Sequence, residues 1–328
     1  MNGAAILMYH RIGSPDCDPW GIAVTPERFA EQLQSLRSLG TPRPLRQVVA
    51  RVKAGLPPIP GSICVTFDDG YADNLHIAAP LLSRNEFPAT IFAISDAIGA
   101  SAEFWWDELA QALLRPSRLP KDLSLDVSGR EVRFSLDQAC DYPIEARLND
   151  RLWSVEKAGR PSPRLAFFRS VYGALSTADV EDRQYALRRL SEWSWTAAAV
   201  RTSHLPLSAE EAIALSRQES IDIGAHTVTH PKLPELDREA QRRELSESRS
   251  ALEGLLGLSV RELSYPYGAF SATTVALARE VGFESACSNG TGMALAQSDL
   301  FALPRIKVCD WSGQSLVAKL RALAPGIF

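Results

Sequence analysis

Long apolar segments and clustered charges are both scarce in this chain of 328 residues. No apolar run approaches the about 20 residues that a membrane span needs, and the first residues lack the basic and apolar segments of an export signal. We therefore expect no membrane span and a cytoplasmic location. The net charge is -4 and lysine and arginine are scattered, so the sequence lacks the basic surface of nucleic-acid-binding proteins.

Cysteine and histidine are also scarce, with five of each. The cysteines are odd in number and widely spaced, which indicates free thiols in a reducing compartment. The overall composition, 45% hydrophobic and 23% charged, is typical of a soluble enzyme. With so few histidines, those that follow strands are the natural candidates for chemistry.

Two adjacent carboxylates, Asp68 and Asp69, follow an apolar run at residues 62–67. The run suits a buried parallel strand, and ligands of such folds lie at the carboxyl ends of strands. Two neighbouring carboxylates repel each other unless a cation neutralises one of them. The other carboxylate is then free to accept a proton. This predicts a metal and a base, with Tyr71 as a substrate-binding candidate; the alternative is a solvated Asp-Asp-Gly turn.

Strand and helix patterns alternate along most of the chain and predict about seven strands of one sheet. Without internal repeats, residues 1–328 are best interpreted as a single barrel-like domain. Residues 100–207 break the alternation and form a mainly helical insertion with one hairpin, residues 123–127 and 131–134. A lid or wall over the site is the expected role of this insertion.

Trp105 and Trp106 open the insertion and are candidates for stacking on sugar rings. Tryptophans at this spacing more often pack a small helical core. The sequence leaves both interpretations open.

A second strand end carries His226 and His230, four residues apart, which a turn or tight loop can direct at one ion. An isolated pair of this kind is usually structural, but the carboxylates at another strand end change that interpretation. Imidazoles with a carboxylate and open positions are typical of a catalytic divalent-metal site rather than a closed structural one. The sequence therefore predicts an enzyme.

Three motifs in this order resemble those of the polysaccharide deacetylases, the NodB-homology or carbohydrate esterase 4 family. They are Thr66-Phe67-Asp68-Asp69-Gly70, His226-Thr227-Val228-Thr229-His230 and Tyr265-Pro266-Tyr267-Gly268. The resemblance implies a distorted (β/α)7 barrel, a metal, usually zinc, on Asp69, His226 and His230, and Asp68 as general base. It also implies that the backbone N–H of Tyr267 helps to bind the oxyanion.

The chain departs from the family pattern at two places. Ser264 stands where the third motif usually has an arginine that pairs with the base, and Arg305 is the candidate replacement, also considered for substrate binding. The family's late histidine, the general acid, is absent because no histidine follows His230. His10, in an N-terminal strand that resembles the biofilm poly-N-acetylglucosamine deacetylases, is the candidate acid, expected to be protonated near neutral pH; a backbone-bonded structural histidine is the alternative.

The expected reaction is metal-assisted removal of N-acetyl groups from an amino-sugar glycan or glycan precursor. A related C–N hydrolase acting on an N-formyl group or a ring amide is the second candidate. Two further candidate functions have less support from the sequence: a noncatalytic carbohydrate-binding module and an aspartyl-phosphate phosphotransferase. The former has no need of Asp68 beside a metal triad, and the latter normally separates its two acids by one residue.

Overall fold

The computed structural model describes residues 3–151, 153, 161–196 and 200–325. The strands of the described residues are β1 Ala4–Tyr9, β2 Arg11–Ile12, β3 Ala23–Val24, β4 Thr41–Pro42, β5 Ser62–Phe67, β6 Ala89–Ala93, β7 Asp122–Val127, β8 Arg130–Ser135, β9 Ile221–Ala225, β10 Glu262–Ser264, β11 Ser285–Cys287 and β12 Ile306–Lys307. The α-helices are α1 Pro26–Leu39, α2 Leu45–Lys53, α3 Ala79–Arg84, α4 Trp105–Leu114, α5 Ile144–Asp150, α6 Pro163–Ser176, α7 Val180–Trp193, α8 Ala209–Ser216, α9 Arg238–Leu256, α10 Ala272–Val281 and α11 Gly313–Leu323.

One parallel sheet forms the centre of the barrel unit, which comprises the described residues of 1–14, 22–100 and 206–328. Its strands are ordered β11-β10-β9-β6-β5-β1-β12, and β4 pairs with β5 outside this path. The predicted seven-stranded sheet with helices between its strands is confirmed. Because the strands are parallel, the residues that follow them meet at one edge of the sheet.

Local capping residues set the bounds of several helices. Thr25 caps α1, and Ser208 and Ser271 form capping boxes at α8 and α10, where a side chain and a backbone N–H satisfy each other. Gly257 and Gly282 end α9 and α10 in the left-handed conformation that glycine adopts without a Cβ penalty. These caps fix where each helix returns to the sheet.

The two faces of β1 and β5 have different neighbours. Alternate residues such as Leu7 and Val65 belong to the core cluster that also contains α1 and α11 side chains. Ile6 and Cys64 belong to a separate cluster on the other face. Since side chains alternate along a strand, Asp68 continues the second face. Helices α1 and α11 therefore pack on one face of these strands, whereas α2 packs on the other, from which Asp68 emerges.

The insertion forms its own compact unit, made of residues Ser101–Leu205 and Pro15–Gly21. Its predicted hairpin is present as antiparallel β7 and β8, with positive φ at Ser128 and Gly129 in the turn. Apolar side chains from α4, α6, α7 and the hairpin form its core. The lid or wall role of this unit stays a prediction.

All five cysteines are free thiols, in agreement with the sequence analysis. In the described part of the chain, no helix combines the length and apolarity that a membrane crossing requires.

Candidate metal centre and catalytic site

The loop after β5 has an unusual backbone conformation. Asp69 and Gly70 adopt left-handed conformations, with φ of 73° and 81°. A Cβ at Gly70 would lie 3.1 Å from the Cβ of Ala93, so both the conformation and the space favour glycine. A non-glycine residue in this conformation carries backbone strain, which tends to occur at functional sites.

Asp69, His226 and His230 form a buried cluster. Asp69 Oδ1 lies 3.6 Å from His226 Nε2 and 3.6 Å from His230 Nε2. One ligand atom from each residue falls within 4.8 Å of the others. The structure thus brings together the three residues predicted as metal ligands. Two imidazoles and one carboxylate with room for further ligands fit a catalytic divalent-metal site.

Backbone contacts orient the first histidine. His226 Nδ1 lies 2.7 Å from the carbonyl oxygen of Ser264, so Nδ1 carries the proton and the lone pair of Nε2 faces Asp69. Burial lowers the pKa of His226, which favours the neutral imidazole that a metal requires.

Glu244, which the sequence analysis missed, holds the loop between the two histidines. Its carboxylate accepts hydrogen bonds from the backbone N–H groups of Val228 and Thr229, at 2.8 and 3.0 Å, and from the Thr229 hydroxyl at 2.7 Å. Within this loop Thr227 and His230 have positive φ. Glu244 lies in the middle of the polar helix α9, where no local pattern distinguishes it from its charged neighbours.

Asp68 forms a buried bidentate ion pair with Arg305. Arg305 Nη1 and Nη2 each donate to one carboxylate oxygen at 2.6 Å. Burial raises the pKa of Asp68, but Arg305 and His226 outweigh that effect and the pKa lies below its usual range. Asp68 is therefore a carboxylate at neutral pH, as a general base must be.

Ser264 completes this pair. Its hydroxyl accepts a hydrogen bond from Arg305 Nη2 at 2.9 Å and donates to Asp68 Oδ2 at 3.2 Å. The serine at the family's arginine position thus lies beside Arg305, the residue that immediately precedes β12. The Arg305 side chain is 0% exposed. We therefore place Arg305 behind the base and correct the alternative prediction that it contacts substrate.

His10 follows β1, next to the base. Tyr9 pairs with Phe67 in the sheet, and the backbone N–H of Asp68 donates to the Tyr9 carbonyl at 2.9 Å, so His10 and Asp68 emerge side by side. Burial lowers the pKa of His10 to about 3, although the Asp68 carboxylate acts to raise it. Burial therefore opposes the protonated imidazole that the sequence led us to expect near neutral pH.

Tyr267 lies beside the metal cluster. Its residue adopts a left-handed conformation, with φ of 57°, inside the 3₁₀ segment Pro266–Gly268. Its ring centroid is 4.7 Å from that of His230, and 38% of the residue is exposed. The third motif thus reaches the same edge of the sheet as the first two.

Two of the remaining substrate-binding predictions, Tyr71 and Trp106, fall on buried side chains, whereas the prediction for Trp105 stays untested. Tyr71 is 0% exposed, with the guanidinium of Arg11 stacked over its ring at 4.7 Å. Trp106 is 6% exposed and stacks on Phe104 at 4.8 Å. Trp105 is half-buried in the core of the insertion, stacked on Tyr172. Packing within each unit occupies the rings of Tyr71 and Trp106.

A parallel sheet with a buried histidine-carboxylate cluster and a second, ion-paired carboxylate beside it is an arrangement typical of hydrolases. The family model for polysaccharide deacetylase matches residues 56–117 and 184–286, which together make up half of the chain. The chain therefore belongs to the polysaccharide deacetylase family.

Three relatives illustrate the similarity. YxkH of Bacillus subtilis (strain 168), whose name assigns it to the polysaccharide deacetylases, is 26% identical over 115 residues, which span 35% of this chain and 41% of YxkH. The deacetylase PplD of Streptococcus pyogenes, solved in complex with acetate, superposes with a TM-score of 0.59 at 19% identity and covers 98% of this chain and 99% of that one. IcaB of Ammonifex degensii has a TM-score of 0.59 at 18% identity and covers 97% of both chains.

Proposed function

We propose that this chain is a metal-dependent hydrolase that removes N-acetyl groups from an amino-sugar glycan or glycan precursor. The observation that carries the proposal is the arrangement of Asp68, a buried carboxylate paired with Arg305 and adjacent in sequence to a metal ligand. A binding module would gain nothing from a charged base held in this way, because burying an ion pair has a desolvation cost. Family membership supports the same chemistry.

Asp69, His226 and His230 would hold one divalent ion, which we propose to be zinc. When bound, the ion supplies Lewis-acid polarisation of the amide carbonyl and of water. Asp68 then accepts the proton of the attacking water as the new C–O bond forms, and Arg305 keeps this carboxylate charged and aligned. The backbone N–H of Tyr267 donates to the developing oxyanion.

The departing amine needs a proton as the C–N bond breaks and its electron pair goes to nitrogen. We assign this transfer to His10. Because His10 is neutral in the free protein, the proton reaches it during the reaction, from the proton that Asp68 has accepted. The products are the free amino sugar and acetate, and both side chains return to their starting states.

Acetate release from N-acetylated chitooligosaccharides and poly-N-acetylglucosamine tests the proposal directly. We expect release by protein reconstituted with zinc and loss of release after EDTA, with recovery when zinc is returned. Formate release from N-formyl analogues without acetate release would instead favour the related C–N hydrolase. Binding of these glycans without hydrolysis by the zinc-loaded protein would overturn the proposal.

His226→Ala is expected to abolish stoichiometric binding of the divalent ion, because it leaves only two of three protein ligands. The measurement is elemental analysis after dialysis against limiting zinc. His76→Ala is the matched control, since His76 is an exposed histidine that pairs with Glu211. Full occupancy in His226→Ala would remove His226 from the metal site.

His10→Gln is expected to lower kcat while zinc content stays unchanged, because the variant lacks the group that protonates the amine. The pH profile of kcat/KM near neutrality should keep its shape, since His10 does not titrate there in the free protein. Steady-state kinetics across pH provide the measurement. A near-normal kcat would assign His10 to structure.

His10→Gln should also change the acid sensitivity of folding. The folded pKa of about 3 lies below the unfolded value of about 6.5, so between these values the unfolded chain binds a proton that the folded chain does not. Wild-type stability therefore falls as pH decreases through this window, and the stability of the variant should fall less. Urea unfolding of metal-free proteins at pH 7 and pH 4.5 measures the difference.

A further inference from the structure

Two side chains of the loop that carries the base also hold the main chain at His10. The backbone carbonyl of His10 accepts a hydrogen bond from Asn74 Nδ2 at 2.9 Å. Asp73 Oδ1 accepts one from the backbone N–H of Ile12 at 2.9 Å. Asn74 Nδ2 also donates to Asp73 Oδ1 at 3.0 Å, which joins the two contacts. We call Asp73 and Asn74 the strand-end clamp.

The clamp contacts three consecutive residues after β1, namely residues 10–12. Between His10 and Ile12, the Nε of Arg11 lies 3.7 Å from Asp73 Oδ2. The clamp is also inaccessible, because Asn74 is 0% and Asp73 8% exposed. Both acceptors of Asn74 Nδ2 lack a donor proton, so the orientation of the amide is determined by its partners. Bonds of this kind are shielded from competing water, and losing one leaves a buried carbonyl unsatisfied.

The backbone at the clamp is irregular. The helix that follows the loop begins with one turn of π-helix, Asn74–Ala78, in which the N–H of Ala79 bonds to the Asn74 carbonyl. Regular α-helix begins only at α3. Single π turns occur frequently at functional sites, where they redirect a side chain at a cost in helix regularity. Here the irregular turn begins at the residue that contacts His10.

We propose that Asn74, supported by Asp73, is a positioning residue that sets the direction of the His10 imidazole relative to Asp68. The proposal rests on the function assigned to His10 above. One loop, residues 68–74, carries the base Asp68 at its start and the clamp at its end. The clamp therefore fixes the position of His10 relative to Asp68. A displacement of about 1 Å at a catalytic group can cost on the order of 100-fold in rate.

A double-mutant cycle tests whether Asn74 acts through His10. We expect Asn74→Ala to lower kcat by about 10-fold to 100-fold, with KM and zinc content little changed. In the His10→Gln background the same substitution should change kcat by less than about twofold, because the group it positions is gone. Asn85→Ala is the matched control: Asn85 donates to the Leu81 carbonyl at 2.8 Å at the other end of the same helix. It should leave kcat unchanged in both backgrounds.

A spectroscopic measurement separates failure of this proposal from failure of the proposed function. In zinc-loaded protein, the His10 imidazole resonances should move in Asn74→Ala and stay in place in Asn85→Ala, whether or not a substrate is turned over. The proposal would be overturned if the His10 resonances did not move, or if the decreases in kcat caused by Asn74→Ala and His10→Gln were fully additive. If Asn74→Ala does not fold, Asn74→Ser, which keeps a shorter donor, takes its place and should show intermediate values of both quantities.

Discussion

Asp68→Asn is expected to lower kcat by about 10² to 10⁴-fold while the divalent ion stays bound. The amide keeps the shape of the side chain and can still accept from Arg305, but it cannot take a proton from water. Asp69 and the two histidines are untouched, so zinc stoichiometry should match the wild type. Acetate release and elemental analysis on the same preparation provide the measurement.

The matched control is Asp299→Asn, which alters an exposed carboxylate paired with Arg279 at 3.2 Å. Its kcat should equal that of the wild type. Mass spectrometry is needed to exclude deamidation of residue 68 back to aspartate. Wild-type turnover by intact Asp68→Asn protein would show that another group activates the water.

Arg305→Met is expected to lower the free energy of unfolding by about 3 to 5 kcal/mol, because it leaves the buried Asp68 carboxylate without its counter-charge. Arg305 also donates to Thr66 Oγ1 at 3.2 Å and to the Ser288 carbonyl at 3.2 Å, so several buried acceptors lose a partner together. Urea unfolding of metal-free proteins gives the value. Activity should fall as well, since the base loses its alignment.

The exposed Arg279–Asp299 pair again provides the comparison. Arg279→Met should cost no more than about 1 kcal/mol, because solvent screens a surface pair. The double variant Asp68→Asn/Arg305→Met should be more stable than the sum of its single losses predicts, since it removes both buried charges. Equal losses for Arg305→Met and Arg279→Met would mean that the buried pair contributes little to stability.

Sequence patterns were sufficient for the sheet and for bringing the metal cluster together. Asp69, His226 and His230 follow predicted parallel strands, and parallel strand ends must meet at one edge of a sheet. This inference needs only periodicity and chain direction. It does not depend on how individual side chains pack.

Packing decided the features that the sequence could not resolve. Tyr71 and Trp106 carry the side-chain chemistry of sugar binding, but their burial depends on neighbours that are distant in sequence. The contact between Asn74 and His10 likewise joins segments 64 residues apart and depends on a π turn that has no distinct sequence signal. The pairing of Arg305 with Asp68 was one of two roles considered, and only the register of β12 against β1 distinguishes them.

The position of Arg305 in the chain has a consequence for biosynthesis. Strand β1 lies between β5 and β12, so the sheet cannot complete its β12 edge until the last strand has been made. During vectorial synthesis the loop with Asp68 leaves the ribosome long before Arg305 does, and its carboxylate has no guanidinium partner in that interval. A nascent chain would thus contain Asp69, His226 and His230 before Asp68 could pair with Arg305.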